Sequence, residues 1–278
     1  MTQFTRQQIL DRLARRRAAK EPLVLGGAGI GLVAKAADRA GIDVLMAYNT
    51  GPFRMDGHGS LSGYLAYGDS NAMTIDLARH ILPVVEDTPV VAGIGAGDPY
   101  RDTARLIDDL IALGYSGITN VPTAGIYDGT FRRHIDATDL GYPKEIDLVV
   151  ACNRRDVFTI AYAFTPEEAA QMADAGADVI GAHVGLTVGG MIGAKEADAL
   201  DDACDRISAM TAAARAIRPD VYVVAHGGAF DEPEAVQTAY DRTDVDGFLG
   251  ASSIERLPVE RAIASTVDSF RALTLRSR

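Results

Sequence analysis

Val179-Ile180-Gly181-Ala182-His183-Val184-Gly185 and Tyr222-Val223-Val224-Ala225-His226-Gly227-Gly228 decide the fold of this chain. Each is a short apolar run that stops at a histidine and a glycine, and each is followed by a segment with helical spacing. A parallel strand covered on both faces reads this way, because neither side meets water. Five similar runs precede the pair: Leu23–Gly26, Val44–Tyr48, Val90–Ile94, Gly117–Val121 and Val157–Tyr162. One follows, Gly247–Gly250. Eight strand–helix units predict an α/β fold, a single (β/α)8 TIM barrel, with its chemistry at the carboxyl ends of the strands.

Thr5 to about Ala18 precedes the first strand. Thr5 and Gln8 form a capping-box pattern, and Ile9, Leu10 and Leu13 an apolar stripe. The expected organisation is therefore residues 1–20 as an extra N-terminal helix covering the barrel bottom and residues 21–278 as the barrel domain. Further helix starts are expected at Thr165-Pro166-Glu167-Glu168 and at Asp98-Pro99, where a capping side chain precedes proline.

Composition narrows the class. With 278 residues and 47% hydrophobic content, the chain can bury one barrel's core. A net charge of −11 disfavours nucleic acid or an anionic membrane as partner. It leaves room for a small anionic metabolite, which backbone N–H groups can bind whatever the global charge. No apolar stretch reaches the roughly 20 residues of a membrane span, and the polar start is unlike a secretory signal. Cys152 and Cys204 offer no disulfide framework, so a cytoplasmic protein is expected. Barrels commonly associate through symmetric contacts, and a homo-oligomer is expected on that ground.

Candidate chemistry gathers at the strand tips. His183 and His226 end adjacent strands, where imidazole suits general acid/base work near neutral pH. Asn49, at the second strand end, is placed to orient a carbonyl or a water. Gly227, Gly228, Gly250, Ala251, Ser252 and Ser253 supply backbone N–H groups where barrels commonly bind phosphate or carboxylate. Ser252 and Glu255 also fit a simple capping box. Arg54, in a long loop from Asn49 to about Ser70, is a candidate carboxylate clamp. A second long loop, Val184–Ala194, is rich in glycine, and both loops read as lids or substrate loops.

The run Gly26-Gly27-Ala28-Gly29-Ile30-Gly31 lacks the acidic residue that a dinucleotide fingerprint places about 20 positions on. Tyr48 and Asn49 stand there instead. Gly27 is read as lining the mouth, near a ligand. No lysine falls on a strand, since Lys20, Lys35, Lys144 and Lys195 lie elsewhere. A Schiff-base mechanism is thereby disfavoured. No carboxylate joins the histidines at a neighbouring tip to complete a zinc-type triad. The residues name no cofactor and leave a divalent metal open.

The chain resembles the phosphoenolpyruvate hydrolase-like TIM-barrel family, also described as a possible signal-transduction barrel and related to the C-terminal half of a plant antiviral resistance protein. The resemblance rests on Tyr48-Asn49-Thr50-Gly51, Gly59-Ser60-Leu61, Tyr67-Gly68-Asp69-Ser70-Asn71-Ala72 and Asn120-Val121-Pro122-Thr123 with Asp128-Gly129. It continues through His183-Val184-Gly185-Leu186-Thr187 with Gly189-Gly190, then His226-Gly227-Gly228, and closes on Gly250-Ala251-Ser252-Ser253-Ile254-Glu255-Arg256-Leu257-Pro258. It implies the barrel fold, a hydrolase-like activity of the phosphoenolpyruvate or phosphonopyruvate kind, and a small acidic substrate.

Together these readings point to an enzyme that cleaves a bond in a small anionic oxo-acid, enol-acid or phosphorylated substrate. Its catalytic candidates are His183, His226 and Asn49. Two alternatives stay open. One is a carbon–carbon lyase of retro-aldol or retro-Claisen type, and the other a non-catalytic barrel that binds a metabolite and signals.

Overall fold

The computed structural model describes residues 2–276. Met1, Ser277 and Arg278, at the outer edges of the expected domain spans, lie outside them. The chain begins with α1 (Arg6–Ala19), β1 (Leu23–Gly27), α2 (Gly31–Arg39), β2 (Val44–Ala47), α3 (Thr50–Met55) and α4 (Ser70–Ile81). Next come β3 (Val90–Gly93), α5 (Thr103–Leu113), β4 (Gly117–Thr119), α6 (Gly129–Ala137), α7 (Tyr142–Asn153) and β5 (Phe158–Ala163). The remainder is α8 (Pro166–Asp174), β6 (Val179–His183), α9 (Leu200–Ile217), β7 (Tyr222–His226), α10 (Pro233–Arg242), β8 (Gly247–Gly250) and α11 (Arg256–Arg271). The strands pair in parallel in sequence order and β8 closes on β1, so the (β/α)8 barrel forms with its extra N-terminal helix.

Alternation along each strand sorts the core. Leu23, Leu25, Val44, Met46, Val91, Phe158, Ile160, Val179, Val224 and Leu249 fill the interior, and Ile9 and Leu13 of α1 join them. The intervening residues pack outward beneath the helices in two further clusters. The same period of two places Tyr48, Tyr162, His183 and His226 inward at the carboxyl ends.

The amino end is tied by a repeated device. Asp43, Asp178 and Asp246 immediately precede β2, β6 and β8, and accept from the N–H groups of Val24, Thr159 and Val223 on neighbouring strands. Their remaining oxygens accept from α1: Arg16 to Asp43 at 3.0 Å, Arg6 to Asp178 at 2.9 Å and Arg17 to Asp246 at 2.9 Å. Thr5 and Gln8 form the expected capping box at the start of that helix.

One local expectation fails. Asp98 does not start a helix; Asp102 caps α5 through the Arg105 N–H. The Asp98 carboxylate instead accepts from Asn71, Arg101 and the Tyr100 N–H, which hold it outside the helix. Helix α11 buries only Arg256 and Leu257, and residues 261–276 are exposed.

Candidate active site

His183 and His226 are register partners on β6 and β7. Their ring centroids lie 4.5 Å apart, edge to face. Tyr162 sits beside both rings, at 4.9 Å from His226 and 5.5 Å from His183, and Phe164 stacks on His183 at 4.4 Å. Each ring keeps one nitrogen free of protein partners.

Hydrogen bonds assign the tautomers. The Gly185 N–H donates to His183 Nδ1 at 3.0 Å, so the His183 proton sits on Nε2. His226 Nδ1 lies 2.6 Å from the Leu249 carbonyl oxygen, which only accepts. The His226 proton is therefore on Nδ1 and its Nε2 carries a lone pair. One imidazole is a donor at Nε2 and the other an acceptor.

Burial holds both rings neutral. It drives His183 well below the usual histidine range, with His226 and Arg206 adding to the effect. Burial also brings His226 down to about 4; the bond to Leu249 opposes that shift and nearby Arg54 adds to it. This corrects the expectation that these histidines titrate near neutral pH: desolvation penalises the charged form.

The pair forms one wall of a cavity of about 250 Å³. Both long loops contribute, through Ser60, Leu61 and Tyr64 from the first and Leu186, Thr187 and Ile192 from the second. Tyr48, Thr50, Arg54, Ala251, Ser252 and Arg256 complete much of the lining.

Arg54 is part of this lining, but it is already paired. It lies on α3 and is 3% exposed. Its Nε donates to Glu255 Oε2 at 2.7 Å and its Nη1 to Thr50 Oγ1 at 2.8 Å. Burial opposes its charge, while Glu255 and Tyr48 hold it protonated. The other Glu255 oxygen accepts from the Gly29 N–H, at a point where Gly29 and Gly51 approach so closely that a Cβ on Gly29 would lie 2.2 Å from the Gly51 carbonyl carbon. Glu255 is thus fully engaged, and the expected Ser252–Glu255 capping box does not form; α11 starts without a side-chain cap.

Other candidates fall outside the cavity lining. Asn49 Nδ2 donates to the Gly63 carbonyl at 2.6 Å, so its amide ties down the first long loop. Gly27 makes room for the Tyr48 hydroxyl, which a Cβ there would meet at 2.9 Å. Gly227 and Gly228 turn the chain at φ +81° and +57°, and the Gly228 N–H is taken by the Gly185 carbonyl at 2.9 Å. Gly250 packs against Ile254 and Ser253, one residue before the cavity wall begins at Ala251.

Tyr48, Tyr162, Glu255 and Arg256 were not singled out from sequence as site residues. The two tyrosines share inward register with the histidines, but a tyrosine at a strand end reads equally as core. Arg256 Nη2 donates to the Gly189 carbonyl at 2.9 Å and Nη1 to Glu260 at 3.1 Å, which ties the second loop to α11.

The donor set does not suit a resident divalent metal. Magnesium favours carboxylate and other oxygen ligands. Here Glu255 is bonded to Arg54 and Gly29, and His183 presents a proton at Nε2. Among the described residues no three His, Cys, Asp or Glu side chains converge as a metal cage.

Comparison with known proteins places this site in context. The chain is 42% identical over 271 residues to the ToMV resistance protein Tm-1(GCR237) of Solanum lycopersicum, covering 97% of this chain and 36% of that protein. It thus spans little more than a third of that relative's length. A phosphoenolpyruvate phosphomutase from Streptomyces platensis subsp. rosaceus shares the fold, with TM-score 0.61 and 18% identity over 93% of this chain and 86% of that one. So does a phosphonopyruvate hydrolase in complex with oxalate and Mg++, with TM-score 0.59 and 19% identity over 96% and 88%. The phosphoenolpyruvate hydrolase-like family model matches residues 8–273, and the chain belongs to that family.

Proposed function

We propose that this chain is a hydrolase-like enzyme that cleaves a bond in a small anionic oxo- or enol-acid. The observation that carries the reading is the adjacent histidine pair on one cavity wall, whose Nδ1 contacts to the Gly185 N–H and the Leu249 carbonyl imply opposite tautomers. His183 offers Nε2–H to a carbonyl oxygen that gains charge, and His226 offers an Nε2 lone pair to a proton that must leave. At about 250 Å³ the cavity falls below the roughly 300–1,000 Å³ of drug-sized pockets, which suits a substrate of few heavy atoms.

In the hydrolytic step a water gives its proton to His226 Nε2 while its oxygen bonds the substrate carbonyl carbon. The carbonyl electron pair moves to oxygen, against His183 Nε2–H. Collapse of this adduct breaks the adjacent bond, and the departing carbanion or enolate takes the proton back from His226. A lyase uses the same pair differently: His226 removes a substrate hydroxyl proton and His183 holds the enolate oxygen. A bound anionic substrate raises both imidazole pKa values and so restores basicity to His226. Arg54, Ala251 and Ser252 line the cavity and are the groups assigned to the anion, with Arg54 held in place by Glu255. The family membership and the fold shared with keto-acid and phosphonate enzymes support this substrate class.

The test is turnover of a panel holding oxaloacetate, phosphonopyruvate and phosphoenolpyruvate, followed by product analysis. The wild type is expected to consume at least one, with His183→Ala and His226→Ala each lowering kcat by about 10²–10⁴-fold. A double variant as active as wild type would overturn the assignment. Binding without turnover would instead favour the non-catalytic, metabolite-sensing reading.

A further inference from the structure

Glu145 is a buried carboxylate without a counter-charge. It lies on α7 and is 3% exposed. Asn120 Nδ2 donates to one of its oxygens at 2.5 Å, and the Ala124 N–H donates to the other at 2.6 Å. Thr123 adds a third bond. A carboxylate accepts about four, so one position is left over. Among the described residues no basic side chain lies within ion-pair distance of it; Arg132 is committed to Asp136 and Glu168, and Lys144 to Asp139. Neutral donors orient a buried carboxylate but leave its charge uncompensated. Its carboxyl is accordingly pushed up to about 7 by burial.

The space in front of Glu145 has the chemistry of an organic-cation site. Glu145 lines a groove of about 580 Å³ between the first long loop, the β3–α5 connection and α6, more than twice the volume of the histidine cavity. Tyr64, Tyr127 and Phe131 form its aromatic wall, as edge-to-face pairs with centroids 6.3 Å and 5.1 Å apart. Leu65, Ile135 and Leu140 extend the apolar lining. Its charged lining is mainly acidic. Asp69 and Asp98 share the one guanidinium of Arg101, so that cluster keeps a net negative charge, and Glu145 adds another. Aromatic rings beside carboxylates attract a cation and disfavour an anion. The groove therefore suits a ligand of opposite charge to the substrate proposed for the histidine cavity.

We infer that this groove is a second ligand site and that its ligand is a primary amine on an apolar body, with the ammonium at Glu145 and the body against Tyr127 and Phe131. An ammonium N–H fills the remaining acceptor position of Glu145 and supplies the missing charge. Tyr64 lines both this groove and the histidine cavity, and its carbonyl accepts from the Tyr127 hydroxyl at 2.6 Å. The wall that holds the amine is thus tied to the first long loop, and the ligand steadies one side of the substrate cavity.

The test is calorimetric titration of phenethylamine into the full chain at about pH 8, where Glu145 is ionised and the amine is charged. No oxo-acid is present, so the outcome is independent of the proposed hydrolase activity. One amine per chain is expected to bind. Phenethyl alcohol, its neutral counterpart, is expected to bind at least tenfold more weakly, and Glu145→Gln to weaken the amine by at least tenfold. Phe131→Ala, at a position 60% exposed, is expected to keep the circular dichroism and weaken the amine about threefold or more. That variant and the alcohol decide the matter if Glu145→Gln does not fold. No binding of the amine by the wild type overturns the inference, as does unchanged affinity in either folded variant. Equal affinity for the alcohol also overturns it, and would make the groove an apolar face for a protein surface. Binding that is lost in the His183→Ala/His226→Ala variant would place the amine in the histidine cavity and overturn it as well.

Discussion

At the scale of single residues, His226 gives the molecule an acid-sensitive term. Its pKa is about 4 in the folded chain against 6.5 for a free histidine, so the unfolded chain binds more protons between those values. Stability from this group is full above about pH 6.5 and declines as pH falls toward 4, and His183 acts in the same direction. Glu145 acts oppositely. Burial pushes its carboxyl up to about 7, against hydrogen bonds from Thr123, Ala124 and Asn120. Its contribution is present below about 4.5 and is lost as pH rises through 7. The two offset each other between pH 4.5 and 6.5, so the wild-type profile alone hides both. Urea unfolding of His226→Gln should lose less stability than wild type between pH 7 and 4.5, by up to about 3 kcal/mol. Equal losses would show that His226 is not held neutral by burial. The neighbouring positions of His183 and His226 were legible in sequence because both end adjacent apolar runs, whereas a single such histidine would read as structural. Tyr48 and Tyr162 were not, since a tyrosine at a strand end reads equally as core. The Arg54–Glu255 pair spans 201 residues, a separation that no local spacing reveals.

At the scale of elements, all eight strands were legible because burial on both faces leaves continuous apolar runs with few other readings. Helix α1 was legible from its cap and stripe. Its Ile9 and Leu13 are fully buried with interior barrel residues, which supports its proposed role as a plug at the amino end. Leu13→Ala is then expected to lower stability by about 2–5 kcal/mol in denaturant unfolding, as for other fully buried leucines. A loss below about 1 kcal/mol would mean that α1 merely rests on the barrel. Asp98-Pro99 misled because a capping side chain before proline is a local signal, whereas Asn71 and Arg101 claim that carboxylate through tertiary contacts. The departure of α11 was also hidden. Its apolar positions read in sequence like those of any helix that packs on a barrel.

At the scale of the whole molecule, closure of the barrel brings β6, β7 and β8 tips together with both long loops around one small cavity. A net charge of −11 does not by itself prevent an anion from binding there, because N–H donors such as that of His183 act locally and distant charges are screened, while Arg54 and Arg256 are neutralised by Glu255 and Glu260. The claim at the centre is that this cavity takes a small oxo-acid dianion through the histidine pair, without a resident metal. Calorimetric titration of oxalate into the chelator-treated full chain tests it most directly. Binding is expected in wild type, weakened at least tenfold, about 1.4 kcal/mol, in the His183→Ala/His226→Ala variant. No binding at millimolar oxalate, binding that appears only when magnesium is added, or equal affinity in the double variant would contradict it.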